Sequence, residues 1–299
     1  MEWIKNLFTS RILRNKCFKV DKLVNSHEFN YRWLSKKVKK ELEILYDQYN
    51  RRRYVHPDPL EFLYPYEEVR DREIAGLIAS SLAYGRVDQI LKSVSIVLKI
   101  MNPSPYLFLK NSTQTSINKA FAGFIHRFAS QDNLAAFLAG IKNVIDEFGS
   151  LNKCFLDGFS KDDENIISAM TFFSDQLIDV KNKPGHLVAQ PLKGSACKRM
   201  NLFLRWMVRK DRVDPGGWTG IPLSVLVIPI DTHMHRISLA LKLTKRKQAN
   251  MASAIEVTSG FKKLVPDDPV KYDFALTRFG IRHDMDIDKL FDFLRGPQN

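Results

Sequence analysis

Apolar residues recur every three or four positions along most of this chain, whereas the strict alternation typical of β-strands is nearly absent. Val38, Leu42, Leu45 and Tyr49, for example, fall on one side of a helix among Lys and Glu residues. The sequence therefore predicts an all-α protein of about ten or more helices. Further predicted helices lie at residues 72–83, 87–101, 134–148, 165–177 and 196–210, with turn-rich segments at 102–105 and 181–185.

The charge of the chain limits its partners more than its fold. Lys and Arg number 46 against 33 Asp and Glu, which gives a formal net charge of +13. A charge of this size favours polyanions such as nucleic acid or acidic membrane, although a basic surface without a partner stays open as an alternative. The basic run Arg51–Tyr54 has the same two interpretations, a phosphate contact or a solvated charged face. Hydrophobic residues make up 44% of the chain, enough for a substantial core.

The cysteines indicate a reduced, intracellular protein. Cys17, Cys154 and Cys197 are too far apart in sequence for the usual zinc or iron–sulfur motifs, and their odd number disfavours a secreted disulfide framework. The longest nearly apolar run, residues 221–230, is about half of the ~20 residues that a membrane span needs. Residues 3–20 have a basic amphipathic pattern, which favours a packed or frayed terminal helix over a membrane-surface helix.

One predicted helix begins with a carboxylate. Asp231 followed by Thr232 is typical of a helix N-cap. Most Asp residues at such positions only cap the helix, so a catalytic role requires a second group. His233 and His235 invite a metal site, but two residues separated by two positions point apart on a helix, and we expect no metal there.

The second group is a lysine. Lys198 follows the hairpin-like Pro191–Ser195 and lies in the first turn of the helix predicted at 196–210. A Gly/Pro-rich stretch, residues 214–222, separates it from Asp231. A primary amine placed to attack and a carboxylate at a helix start can together perform chemistry on a sugar carbon.

At these residues the sequence resembles a known family. The run Ile230–Ile237 is similar to the Val-Asp-Thr-His-x-x-Arg-hydrophobic signature of helix-hairpin-helix DNA glycosylases, the endonuclease III superfamily. In that family a hairpin of the type Leu-Pro-Gly-Val-Gly-x-Lys-Thr-Ala precedes the Asp. The spacing from Gly194 to Lys198 equals that from its first glycine to its lysine, so the resemblance assigns Lys198 to the catalytic-lysine position. The similarity covers residues 73–100 and 190–282.

Several residues depart from the family pattern. The hairpin has Ala196 at the place of its second glycine and Leu192–Lys193 where Pro-Gly is usual. The connection from Lys198 to Asp231 is longer than in endonuclease III and is closest in spacing to archaeal 8-oxoguanine DNA glycosylases. No cysteine follows Gly280, so we expect no iron–sulfur cluster and no other cofactor. The whole chain is most similar to a bacterial branch of the superfamily.

The resemblance implies a two-lobed, helical glycosylase-like fold with a central helical barrel. Residues 1–72 and 211–299 would form a discontinuous lobe that carries Asp231. Residues 73–210 would form the central lobe, which ends in the helix-hairpin-helix with Lys198. We expect damaged double-stranded DNA in the cleft between the lobes, a monomer, a place in the cytoplasm near the nucleoid, and no membrane partner.

The resemblance also implies a base-excision repair enzyme. This would be a DNA N-glycosylase with abasic-site β-elimination lyase activity, acting on oxidised purines. Lys198 would be the Schiff-base nucleophile, and Asp231 the carboxylate that activates it. Phosphates would be held by Lys193, Gly194, Ser195 and Arg199. Ser81 and Tyr84 would approach the flipped base, or else belong to the core.

Two alternatives stay open at the level of sequence. A protein of the same fold can bind DNA or structured RNA without catalysis, since charge and fold are enough for binding. A monofunctional glycosylase is the other alternative, and the lysine at position 198 disfavours it.

Overall fold

A computed structural model of the protein describes residues 36–178 and 183–295, and there the fold is all-α, as predicted. The basic segment 3–20, Cys17 and part of the predicted loop 181–185 lie outside the described residues. The α-helices, in chain order, are α1 (Lys36–Tyr49), α2 (Val69–Ser81), α3 (Val87–Ile100), α4 (Pro105–Asn111), α5 (Gln114–Ala120), α6 (Gln131–Phe148), α7 (Leu151–Asp157), α8 (Ile167–Gln176), α9 (Lys198–Val208), α10 (Thr232–Ala240), α11 (Met251–Leu264), α12 (Asp273–Ile281) and α13 (Ile287–Arg295).

Short 3₁₀ turns and one small hairpin connect the helices. The hairpin pairs β1 (Ile125–His126) with β2 (Ala129–Ser130) in antiparallel register, Ile125 opposite Ser130. The 3₁₀ turns are Arg52–Tyr54, Pro59–Leu63, Gly185–Leu187, Pro191–Lys193 and Leu223–Val225.

Local capping sets where several helices begin and end. The Ser130 side chain accepts from the backbone N–H of Asn133, whose side chain in turn accepts from Ser130, so α6 begins before the predicted residue 134. Gly149, with φ of 83°, ends α6 in the left-handed conformation that glycine favours. Helix α9 begins at Lys198 because Cys197 adopts a left-handed conformation (φ 48°).

The helices pack in two groups that share one core. In the first group α2 contacts α4, α7 and α9, and α6 contacts α4, α5 and α7. In the second, α12 contacts α1, α10 and α13. One cluster of buried apolar side chains runs through both groups, from Leu42 in α1 to Leu290 in α13. The division into lobes at residues 72 and 210 stays a prediction.

A buried ionic seam joins α9 to the second group. Arg205 pairs with Asp214 (Nε to Oδ1, 3.2 Å) and with Asp273 at the start of α12. One turn later, Arg209 pairs with Asp214 and with Asp268 (Nη2 to Oδ2, 2.9 Å). Removing one partner from such a buried pair leaves an uncompensated charge, at a cost of about 3–5 kcal/mol. The seam therefore fixes α9 relative to the segments on either side of α10.

Among the described residues, no helix combines the length and the apolar character that a membrane crossing requires. Cys154 and Cys197 are buried free thiols.

Helix α6 has a glycine where the backbone of another segment comes close. A Cβ at Gly140 would overlap the carbonyl oxygen of Leu177, at the end of α8. Because the obstacle is backbone, no side-chain rotation relieves the overlap. Gly76 in α2 differs, since its Cβ would meet the Leu63 side chain at 3.1 Å.

We expect Gly140→Ala to lower the free energy of unfolding by about 1–3 kcal/mol, measured by equilibrium urea denaturation. Gly76→Ala is the matched control, because a flexible side chain can give way and Ala favours a helix over Gly by up to about 1 kcal/mol. Equal losses in the two variants would contradict the close approach at Gly140.

Candidate active site

Lys198 is the first residue of α9, and its side chain reaches an open cleft. The turn before it is held by the Ser195 hydroxyl, which accepts from the backbone N–H of Cys197 at 3.3 Å. The Lys198 side chain is 35% exposed. The predicted position of this lysine in the first turn of its helix is confirmed.

Asp231 is the N-cap of α10, as the sequence predicts. Its Oδ1 accepts from the backbone N–H of Met234 at 2.8 Å. Its Oδ2 lies 3.1 Å from the Nζ of Lys198. One carboxylate oxygen therefore caps the helix, which fixes the side chain, while the other meets the amine from the opposite wall of the cleft.

The surroundings of Asp231 favour its charged form. Burial alone would raise the pKa of this carboxyl, but the Lys198 ammonium and the Met234 N–H outweigh burial and hold the pKa below its ordinary value. Asp231 is therefore a carboxylate at neutral pH, as a group that accepts a proton or stabilises a cation must be.

The pair opens into a cleft with a volume of about 630 Å³. This volume lies within the usual range of small-molecule sites. The lining comes from both groups of helices: Tyr84 and Ile90 belong to the first group, and Thr232 and Gly280 to the second. Lys198 and Asp231 thus face a shared space large enough for one nucleotide.

The two predicted base-pocket residues have different places. Tyr84 lines the cleft, and its hydroxyl donates to the carbonyl of His126 at 3.0 Å. Ser81 is buried at the end of α2 and is not part of the cleft lining. Its carbonyl accepts a hydrogen bond from the Arg199 guanidinium at 2.5 Å.

The predicted phosphate-binding residues also separate. Lys193, Gly194 and Ser195 are exposed beside the cleft, and Gly194 has the left-handed φ of 78° that a turn at this place requires. Arg199 instead braces the wall from within, because it donates to the carbonyls of Ser81 and His186 and its guanidinium lies 4.9 Å from the Tyr84 ring centre.

The predicted hairpin is a 3₁₀ turn. Pro191–Lys193 forms a single turn before Gly194, and α8 ends at Gln176, well upstream of Lys198. Ser195 forms an isolated antiparallel bridge with Asn250. The first arm of the expected helix-hairpin-helix is therefore this short turn, and the segment before α11 supports it.

The two histidines of the motif point to different surroundings. His233 lines the cleft and packs against Gly280, whereas His235 is buried with its Nε2 2.9 Å from the carbonyl oxygen of Arg246. Within residues 36–178 and 183–295, no group of three or more His, Cys, Asp or Glu side chains is placed to hold a metal ion.

Three charged residues of the cleft lining escaped the sequence analysis: Asp58, Asp273 and Arg278. Arg278 donates to Asp58 (Nη2 to Oδ2, 2.8 Å) and lies over the Phe274 ring. Burial raises the pKa of Asp273 to about 6, with Arg205 opposing the shift and the Asp231 charge adding to it. An Arg within the otherwise apolar run 274–279 is the sequence signal that pointed here.

Comparison with known proteins gives a family but no activity. A family described as "Protein of unknown function (DUF2400)" matches residues 58–282. No curated protein and no solved structure matches the chain.

Lys198→Gln should raise the pKa of Asp231, because the ammonium that favours its charged form is gone. A carboxyl with a depressed pKa stabilises the fold above its unfolded-state pKa, and that stability is lost as the pH falls through the folded-state pKa. The variant should therefore lose less stability than the wild type between about pH 5 and pH 2. Side-chain carboxyl NMR titration measures the shift, with the exposed Lys262→Gln as charge-matched control. The same Asp231 titration in all three proteins would contradict the contact.

Proposed function

The chain belongs to the DUF2400 family, and for this member we propose the activity of a DNA N-glycosylase with abasic-site lyase activity. One observation carries the proposal: Lys198 Nζ and Asp231 Oδ2 meet at 3.1 Å in an open cleft. An amine and a carboxylate in contact are the groups that attack at C1′ of a deoxyribose requires. We extend the proposal to the fold, as a two-lobed helix-hairpin-helix glycosylase type with a central barrel.

The choice of cation along α9 supports chemistry at position 198. Lys198, Arg205 and Arg209 lie on one face of the helix, and each meets an Asp of the C-terminal segment. The two arginine side chains are 3% and 4% exposed, against 35% for Lys198. Arginine stays protonated in proteins, whereas a lysine can release its proton and attack. The only one of these three cations that can become a nucleophile is thus the one at the cleft.

In the proposed reaction, Lys198 passes a proton to Asp231 and attacks C1′ with the freed electron pair. The C1′–N bond breaks, its electrons leave with the base, and the base takes a proton from Asp231. The C1′–O4′ bond then opens as a proton moves from the amine nitrogen to O4′, which leaves a Schiff base. Loss of a C2′ proton expels the 3′ phosphate by β-elimination, and water releases the lysine.

The remaining features support damaged duplex DNA as the partner. C1′ is out of reach in a stacked duplex, so the nucleotide must rotate into the cleft. Lys193, Gly194 and Ser195 are exposed beside the cleft, where backbone N–H groups and a cation suit phosphate contacts. The net charge of +13 adds affinity that depends on salt and not on sequence. We propose oxidised purines as the substrates.

A second candidate function rests on the same contact. The Asp231 carboxylate already caps α10 and pairs with Lys198, which is also what a purely structural ion pair would do. A nucleic-acid-binding protein on this fold needs no more than that. Catalysis and binding differ in whether a covalent intermediate forms.

Borohydride trapping on a duplex with one abasic site separates the two functions, because reduction of a Schiff base leaves a stable adduct. We expect an adduct with the wild type and none with Lys198→Gln, since a carboxamide cannot form an imine. Asp231→Asn should slow trapping by about 10²–10⁴-fold, the usual contribution of a positioned acid–base group. Lys262→Gln, a charge-matched change on the exposed side of α11, should trap like the wild type.

Tight binding with neither adduct nor strand cleavage would favour the binding protein. An adduct that persists in Lys198→Gln but is lost in Lys193→Gln would place the nucleophile in the preceding turn. A panel of duplexes with single damaged bases, including 8-oxoguanine, identifies the excised base.

A further inference from the structure

The turn between β1 and β2 carries two large apolar side chains in solvent. Phe128 is 71% exposed and Ile125 is 76% exposed, the highest values among the large hydrophobic residues of the described chain. Arg127 lies between them and is also exposed. The turn is therefore a convex apolar tip with a cation at its centre.

The tip is held rigidly from below. His126 is 2% exposed, its Nδ1 lies 2.9 Å from the Ser93 hydroxyl in α3, and its carbonyl accepts from the Tyr84 hydroxyl. The Phe128 ring stacks edge to face on His186, with ring centres 5.7 Å apart. A tip anchored at its base keeps its exposed side chains in a fixed direction, so binding costs less ordering entropy.

The backbone of the tip is strained to present a cation. Arg127 has φ of 52°, a left-handed conformation that favours Gly or Asn in two-residue turns. Its side chain lies over Gly85, where a Cβ would meet it at 2.6 Å. Since Gly85 and Tyr84 line the cleft, the tip rises from the rim of the same cleft that holds Lys198.

We propose that this tip inserts into the base stack of duplex DNA beside the nucleotide held in the cleft, with Phe128 as the stacking side chain. The inference rests on the proposed function for its DNA partner. An aromatic ring stacks on any base, and apolar side chains that enter a base step unstack it. Arg127 would meet the phosphates at the entry point, in keeping with the positive net charge.

The size and shape of the tip favour this partner over a protein. Two apolar side chains on a convex turn are far less than the roughly 800 Å² per partner that a stable protein interface buries. A cation next to the apolar tip matches a polyanion.

The test uses a duplex with a central tetrahydrofuran abasic analogue, which forms no Schiff base, and a neighbouring 2-aminopurine that fluoresces when unstacked. We expect the wild type to raise the fluorescence on binding. Phe128→Ala should lower the affinity about five- to hundredfold and abolish most of the rise, as loss of a stacking ring does. Phe128→Trp should bind within a few-fold of the wild type, whereas Phe128→Leu should resemble Phe128→Ala. Ile96→Ala, an exposed apolar residue on α3, is the matched control.

Salt dependence adds a second readout. Phe128→Ala should leave the slope of log affinity against log salt unchanged, and Arg127→Gln should reduce it by about one. Wild-type affinity and fluorescence in Phe128→Ala would overturn the inference. So would a change in oligomeric state with DNA binding intact, because the tip would then serve a second copy of the chain. If the wild type traps no abasic site while these effects of Phe128 persist, the lyase proposal fails and the insertion stands.

Discussion

The arrangement of the site depends on one charged face of α9. Three cations along that face meet three acidic segments from the C-terminal third of the chain, and two of these contacts are sealed from solvent. Buried ion pairs of this kind add little net stability, but breaking one is costly, so they specify a single register between the parts that they join. That register places the amine of Lys198 opposite the carboxylate of Asp231. The seam builds the structure, and its open end provides the chemistry.

Asp231 itself serves two purposes. Its cap on α10 holds the carboxylate in one rotamer, and its second oxygen stays directed into the cleft. A carboxylate fixed in this way needs no reorganisation when positive charge develops nearby, and this preorganisation is the main source of electrostatic catalysis. Tight packing of His233 against Gly280 keeps α10 and α12 close at this point.

Local sequence signals predicted the helices, the cap at Asp231 and the start of α9, because period, capping residues and turns are written in neighbouring residues. The floor of the cleft was not predicted, since Asp58 and Arg278 are 220 positions apart and only the tertiary fold joins them. Arg199 shows another limit. Its expected phosphate role came from position in the motif, but its guanidinium is engaged by the Ser81 and His186 carbonyls. The β1–β2 tip gave no pattern that a helical reading detects.

The most direct measurement of the central claim is peptide mapping by mass spectrometry after borohydride reduction of the protein with abasic DNA. The account predicts a deoxyribose remnant on Lys198, which also blocks tryptic cleavage after that residue. A remnant on another lysine, or no modified peptide despite tight binding, would contradict the claim that this amine attacks the sugar.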